Sequence, residues 1–477
     1  VLVEIDRRPL IIIIGEKIFT PLIYILAFAI FLIILSGEKF AGLSAEGKNT
    51  LIIFFVCVLL WVGQVIPTGV TGLLAIVLLP VLKVMSTSEA YSLFGNNAVF
   101  FLIGVFILGA AIKISGLAAR VALFVLNRFG NTPNTLLLSL YLLTFVMSWF
   151  MPEHVVAAIA FPIVLEIARN LNLSFRDNFG KILFLSLSWG CVIGGVATFL
   201  GGARVPLAVG MLHETTQKTI TFYEYLLFGI PVALLLAITG FILLKIFFHF
   251  KEIDLLSAKR AIQKMLQQQG LMTFKEQLIA LITIVTIGAW IFAGDKLGLA
   301  NIAIISIVSL FVLKLINWRD VQDNVNWGII LMYGGAITLG YALEKSGASK
   351  FIAENILLNR VSNPFVLIAL LALFSLILTA VMSNSATVAA LLPIALAFGN
   401  SLNVDPRSVT LTVAFMSGID FALPIGTPAS AIAYSSGYLK ISEMLFPGIL
   451  MSILAWLIFI LMYNYYLPLV WQNGGVL

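Results

Sequence analysis

The chain has 477 residues, 61% of them hydrophobic and only 10% charged, with a mean hydropathy of +1.09. A soluble domain carries about 25% charged residues, so a water-soluble globular fold is excluded. The net charge of +6 does not mark a nucleic-acid binder, because Lys and Arg are scattered over loops, as the positive-inside rule expects, and no basic domain stands apart.

Read from its start, VLVEIDRRPLIIIIGEK forms a short surface arm, and a first span follows near 18–36. Together these make a unit over 1–47. Apolar runs of ~20 residues, enough to cross ~30 Å of hydrocarbon, then recur near 48–66, 69–85, 92–129, 178–217 and 222–249. The stretch 251–274 is the only long polar one and reads as an amphipathic surface helix. Its Lys251, Lys259, Arg260 and Lys264 assign it to the cytoplasm. A second set lies near 275–293, 298–316, 325–359, 405–438 and 443–466. Several runs are too long for one span and contain Gly or Pro, so broken helices are expected there. The fold class is an all-α polytopic membrane protein with about 11 transmembrane helices, its N-terminus cytoplasmic. Cys57 and Cys191 both lie in apolar runs, which argues against a disulfide framework.

Two regions depart from simple spans. Residues 136–150 and 155–168 flank the polar cluster MPEH, and 365–381 and 388–400 flank MSNSAT. Arms of ~22 Å are short of the hydrocarbon thickness. A re-entrant helical hairpin is expected at 136–168 and again at 365–400, the alternative being tilted helices joined by a tight turn. Re-entrant backbone is tolerated only where protein or a watery cavity satisfies it.

The two regions are copies of each other. One offset superposes Gly104 on Gly335, Gly109 on Gly340, Ser115-Gly116 on Ser346-Gly347, Pro162 on Pro393, Asn172 on Asn403 and Met151 on Met382. A slightly shorter offset then lays ATFLGGARVP over ALPIGTPASA, with Gly201 on Gly426. The chain thus reads as repeat 1 (48–250) and repeat 2 (275–477). The first begins with an inward crossing and the second with an outward one, the inverted-topology design of many secondary transporters. In such proteins broken helices meet near the midplane, and their termini form the binding site.

With MSNSATVAALLPIA and FALPIGTPASAIA quoted, the sequence resembles the divalent anion/sodium symporter family, the INDY-type bacterial dicarboxylate transporters, over nearly its whole length. The resemblance implies a homodimer in which each protomer pairs a scaffold domain with a transport domain that moves as an elevator. It also implies di- and tricarboxylate or sulfate substrates. In that family each hairpin tip carries Ser-Asn-Thr, and each following break a Gly-Thr-Pro-Pro-Asn-like loop. Carried over, Ser383, Asn384 and Ser385 bind a substrate carboxylate, Thr427 and Pro428 line the substrate, and Ser383, Asn384 and Gly426 form a residual sodium site. Uncharged hydroxyl and amide donors suit an anion that must also leave.

The first half departs from the pattern. Its tip is Pro152-Glu153-His154 and its loop Gly201-Gly202-Ala203-Arg204. Proline and histidine side chains supply no oxygen for sodium, so no sodium is expected at the first-half site. Glu153, His154 and Gly202 become substrate-lining candidates, and Arg204 and His154 the charge that sodium would have brought. Arginine at membrane depth needs a partner. Glu153 and Asp420 are the candidate counter-ions or coupling groups, and a purely structural pair is the alternative. A tethered cation cannot be released, which favours sodium-independent exchange of C4/C5 dicarboxylates such as succinate, malate, fumarate or 2-oxoglutarate. The exchanger branch of the family permits this. The rivals are a sodium-coupled symporter of the same fold and a channel-like anion permease. A membrane enzyme is not expected, since Glu153-His154 is no HExxH metal helix, and the expected partners are small dicarboxylates, lipid and a second copy of the chain.

Overall fold

The computed structural model describes residues 42–356, 363–424 and 426–473, with Ile25, Leu26 and Ala29. The span expected near 18–36 therefore lies almost wholly outside the described residues, among which every regular element is helical. The first set comprises α1 (Ala45–Gly63), α2 (Thr68–Val81), α3 (Thr87–Ser92), α4 (Asn97–Ile114) and α5 (Leu117–Phe129). It continues with α6 (Pro133–Met147), α7 (Glu153–Asn170), α8 (Asn178–Gly195), α9 (Arg204–Thr216) and α10 (Phe222–Phe247). A linker helix, α11 (Leu256–Gln268), follows. The second set comprises α12 (Phe274–Leu297), α13 (Leu299–Val312), α14 (Trp318–Asn324), α15 (Trp327–Lys345) and α16 (Ala348–Ile356). After it come α17 (Pro364–Thr379), α18 (Asn384–Ser401), α19 (Pro406–Met416), α20 (Pro428–Tyr434), α21 (Ile441–Tyr465) and α22 (Leu467–Asn473).

Five stretches are long and apolar enough to cross a membrane: α1, α3–α4 (Thr87–Ile114), α10, α12 and α21. The over-long runs of the sequence break as their glycines require. Gly116, at φ 85°, separates α4 from α5, and Gly347, at φ 71°, separates α15 from α16. A left-handed residue ends a helix at little cost only when it lacks a Cβ. The runs 178–217 and 405–438 are interrupted by non-helical backbone at 196–203 and, among the described residues, at 417–424 and 426–427.

The two sets are the same design written twice. The offset that superposes Gly116 on Gly347 also carries the starts of α2, α3, α5, α6 and α7 onto those of α13, α14, α16, α17 and α18. It carries left-handed Lys83 and Asn172 onto left-handed Lys314 and Asn403. Non-glycine residues with positive φ are uncommon, so their recurrence at matched positions marks inherited backbone geometry. Packing is reciprocal as well: α2 lies along α15, and its counterpart α13 lies along α4. Gly335 abuts the Gly72 backbone, and the matched Gly104 abuts Ala303. Contacts exchanged in this way define a two-fold relation between the sets. Small residues at both crossings let the helix backbones approach closely.

Each hairpin is punctuated by its own sequence. Thr132 forms a capping box with Thr135 ahead of Pro133, and Asn363 accepts from the Phe365 amide (2.8 Å) ahead of Pro364. Proline at the first helical position removes an amide that would have no partner there. After the tips, α7 starts behind Pro152 (φ −54°, ψ 135°) and α18 behind Ser383 (φ −64°, ψ 148°). Both residues take the extended geometry of a helix N-cap.

The Gly72–Gly335 crossing leaves no space for a side chain. Gly335→Val is expected to destabilise the protein by about 3 kcal/mol through overpacking, read as a lower unfolding temperature in detergent. Gly288→Ala, in open space on α12, serves as control and should leave that temperature unchanged or raised. Equal behaviour of the two variants would contradict the interlocked packing.

Candidate functional site

The tips of the two hairpins meet at their own equivalents. Glu153, the first residue of α7, and Asn384, the first residue of α18, are matched positions of the repeats. Asn384 Nδ2 donates to Glu153 Oε1 at 3.4 Å. The two-fold axis therefore passes between these side chains, both of them buried. Each tip is also tied to a helix break. The Glu153 amide donates to Gly201 O (2.9 Å), and Thr198 Oγ1 donates to Trp149 O (2.8 Å). In the second half, Thr379 Oγ1 donates to Ser417 O at 2.6 Å.

Arg204 begins α9 and is 1% exposed. Its Nη1 lies 3.5 Å from Glu153 Oε2. The guanidinium runs through a slot between two glycines: a Cβ on Gly202 would collide with Nη1, and one on Gly418 would collide with Nε. Gly195 gives the Glu153 carboxylate the same kind of room. Arg204 Nε and Nη2 have no hydrogen-bond partner among the described residues. A buried guanidinium with donors to spare is costly unless an anion completes it. The site thus presents a fixed positive charge with two unused N–H directions beside the hairpin contact.

The second-half break holds the opposite chemistry. Asp420 is buried with Oδ2 unpartnered. Backbone N–H groups of Ala422, Leu423 and Gly426 face its carboxylate. At the shorter offset Asp420 falls on Gly195, so the carboxylate comes from the hairpin tip in one half and from the helix break in the other. Next to it the Asn384 amide offers two orientations. With its oxygen turned inward, that oxygen lies 2.9 Å from Thr379 Oγ1 and 3.2 Å from both Ser417 O and Gly426 O. The Thr379 hydroxyl has one proton, already within reach of Ser417 O, so this is a cluster of oxygens short of donors. With the amide reversed, its two N–H groups have these three oxygens within reach, and its oxygen then faces the Glu153 carboxylate. An amide assignment follows from its surroundings, and the inward oxygen suits a hard cation that takes carbonyl and hydroxyl ligands.

The remaining expected residues fall as follows. Ser383 Oγ is turned to its own helix, accepting from the Ala386 amide (3.4 Å). Ser385 is buried. Thr427 caps α20, accepting from the Ser430 amide (3.2 Å) and donating to Ser430 Oγ (3.0 Å). Ser430 in turn meets Ser188 of α8 at 3.0 Å. Pro428 is the exposed first residue of α20. His154 leaves the cluster: its ring packs edge-on against Phe106 of α4 (6.4 Å), and no contact with Glu153 or Arg204 is formed. The reason is helical geometry, since adjacent residues point about 100° apart. His154 therefore does not join Arg204 beside the Glu153 carboxylate. Thr379, Ser417, Gly195, Gly418, Ser188 and Ser430 were not singled out from the sequence, although the repeat offsets already matched Thr379 with Ser148 and Asp420 with Gly195. A cavity of about 430 Å³ also runs along α9 past Pro206, Val209, Gly210 and His213 as far as Phe199.

The family profile described as the sodium:sulfate symporter transmembrane region matches residues 17–472. The sodium-dependent dicarboxylate transporter SdcS of Staphylococcus saprophyticus is 26% identical over 475 residues, covering 94% of this chain and 90% of that one. SdcS of Staphylococcus aureus is 29% identical over 453 residues, covering 89% and 87%. Among solved structures, the YdaH transporter of Alcanivorax borkumensis superposes with a TM-score of 0.55 at 16% identity, over 82% of this chain and 88% of that one. MtrF of Neisseria gonorrhoeae does so at 0.51 and 13%, over 78% and 80%. At such identities the superpositions speak to fold alone. The profile spans the hairpins, the breaks and the linker alike, and the chain belongs to the sodium:sulfate symporter family of multi-pass membrane transporters and is not an enzyme.

Proposed function

We propose that this protein is a sodium-coupled transporter of C4/C5 dicarboxylates in which Arg204 stands in for the first-half sodium. The observation that carries this reading is the set of oxygens from Thr379, Ser417 and Gly426 that surrounds the inward-turned Asn384 oxygen, with buried Asp420, whose Oδ2 has no partner among the described residues, next to Gly426. Amide, hydroxyl and backbone carbonyl oxygens with a carboxylate nearby are the ligand types that a small hard cation takes. The relatives named above as sodium-dependent dicarboxylate transporters support the same substrate and ion. Sodium-independent exchange, expected from the altered first-half tip, is the weaker reading. Losing one sodium position to Arg204 leaves the second-half position intact.

Arg204 and the cation divide the substrate's charge between them. One carboxylate of the dicarboxylate takes the free Nε and Nη2 directions of Arg204, a charge-assisted arrangement with planar selectivity. Asn384 couples the two sites. Its oxygen turns inward on the cation, and its nitrogen is then committed to Glu153, which holds the Arg204 pair in register. In this reading the hairpins and broken helices move together as the transport domain of a homodimeric elevator. The basic linker and the N-terminus lie in the cytoplasm.

In proteoliposomes, replacing sodium by choline is expected to abolish succinate uptake. Asp420→Asn should raise the sodium concentration for half-maximal uptake by roughly tenfold, the scale of a lost supporting ligand. Undiminished uptake in choline would contradict the coupling.

Arg204→Gln is expected to lower succinate uptake by about 100-fold, the scale of removing one partner of a buried charge pair. The double variant Glu153→Gln/Arg204→Gln separates two roles. If the guanidinium binds substrate, uptake stays lost although the buried charge imbalance has been removed. Recovery in the double variant would reduce Arg204 to a structural ion pair.

A further inference from the structure

Away from the hairpin contact, a cavity of about 830 Å³ opens between the linker helix α11, the connecting helix α5 and the hairpin helix α7. Its floor is apolar, built by Leu123 of α5, Ile159 and Ile163 of α7 and Met265 of α11. Its rim carries two cations, Arg260 and Lys264, one helical turn apart on α11. Both are exposed, and neither forms an ion pair or hydrogen bond among the described residues. Glu166, the acidic residue of the lining, is occupied by Asn170, whose Nδ2 donates to Glu166 Oε1 at 2.7 Å.

The cavity sits where lipid ends. The linker leaves the span α10 at Phe247 and enters the span α12 at Phe274, so α11 lies at the level of the membrane–water boundary. The residues at its far end support that depth: Leu271 is 93% exposed and Phe274 73%, which is costly in water and favourable among acyl chains. On its inner side α11 buries Ala258 and Ile262 against α5 and α7. An apolar floor beneath an unpaired basic rim at the headgroup level has the polarity of one molecule, an anionic phospholipid with its phosphodiester at the rim.

We infer that the cavity between α5, α7 and α11 is a binding site for an anionic phospholipid, its headgroup held by Arg260 and Lys264 and an acyl chain laid along Ile159 and Ile163. The lipid bridges the linker and the first hairpin, so its presence restrains the hairpin whose tip carries Glu153. Zwitterionic lipid lacks the net charge that the rim is left to neutralise.

Native mass spectrometry of the full chain in detergent, titrated with phosphatidylglycerol or phosphatidylcholine, tests this without reference to transport. Phosphatidylglycerol is expected to stay bound to the wild type in preference to phosphatidylcholine. Arg260→Gln/Lys264→Gln should weaken it about 30-fold, as two interfacial charges warrant. The surface control Lys314→Gln/Arg319→Gln should bind as wild type, and Lys264→Arg should retain binding. Equal retention of the two lipids, or unchanged binding in the Arg260/Lys264 variant, would overturn the proposal. So would displacement of phosphatidylglycerol by millimolar inorganic phosphate, which would mark a site for a soluble anion.

Discussion

A guanidinium buried at the point where two repeats touch is the constraint around which this molecule is arranged. Arg204 is 1% exposed, and the desolvation of such a group amounts to several kcal/mol before any partner is counted. Glu153 at 3.5 Å returns part of that, and Asn384 steadies Glu153 from the other repeat. The slot itself is made by omission, with Gly202 and Gly418 lacking the side chains that would close it. The contact between the hairpin tips, the breaks behind them and the glycines beside Arg204 form one system.

From that contact the asymmetry of the repeats acquires a physical meaning. Both halves keep the same backbone, down to left-handed turns at matched lysines and asparagines. What changed is where charge is stored. The first half holds a carboxylate at the hairpin tip and a tethered cation at the break. The second holds an amide at the tip and a buried carboxylate at the break, one oxygen of which has no partner among the described residues. A fixed charge costs nothing to bind but cannot be released, whereas a diffusible cation can carry energy from its gradient. On the proposed reading, a carrier with one of each would keep its coupling to sodium while needing fewer ions to balance a dicarboxylate.

Much of this was legible before any coordinates. Over-long runs containing glycine identified where helices end, and at Gly116 and Gly347 the reason is a left-handed backbone. The repeat offsets placed MPEH over MSNS and thereby brought Glu153 opposite Asn384, a contact that the structure forms between those two residues. Side-chain direction was not legible. His154 adjoins Glu153 in the chain, yet a helical step turns it to Phe106, and Ser383 spends its hydroxyl on its own helix. Backbone groups were harder to reach: Gly426 was named only through the family resemblance, and the Ser417 carbonyl beside Asn384 is one that no residue type advertises. The altered first-half tip favours exchange, with a sodium-coupled symporter as the rival reading. The second half carries the opposing evidence in groups three-dimensional folding brings together.

The central claim is that one diffusible sodium and one tethered arginine share the role of two sodium ions. The sodium dependence of initial succinate uptake measures this most directly. A Hill coefficient cannot exceed the number of interacting sites, so activation by sodium is expected to be hyperbolic, with a coefficient of about 1. Sigmoidal activation with a coefficient near ~2 would require a second sodium where Arg204 lies, and uptake independent of sodium would remove the second-half site as well; either result contradicts the account.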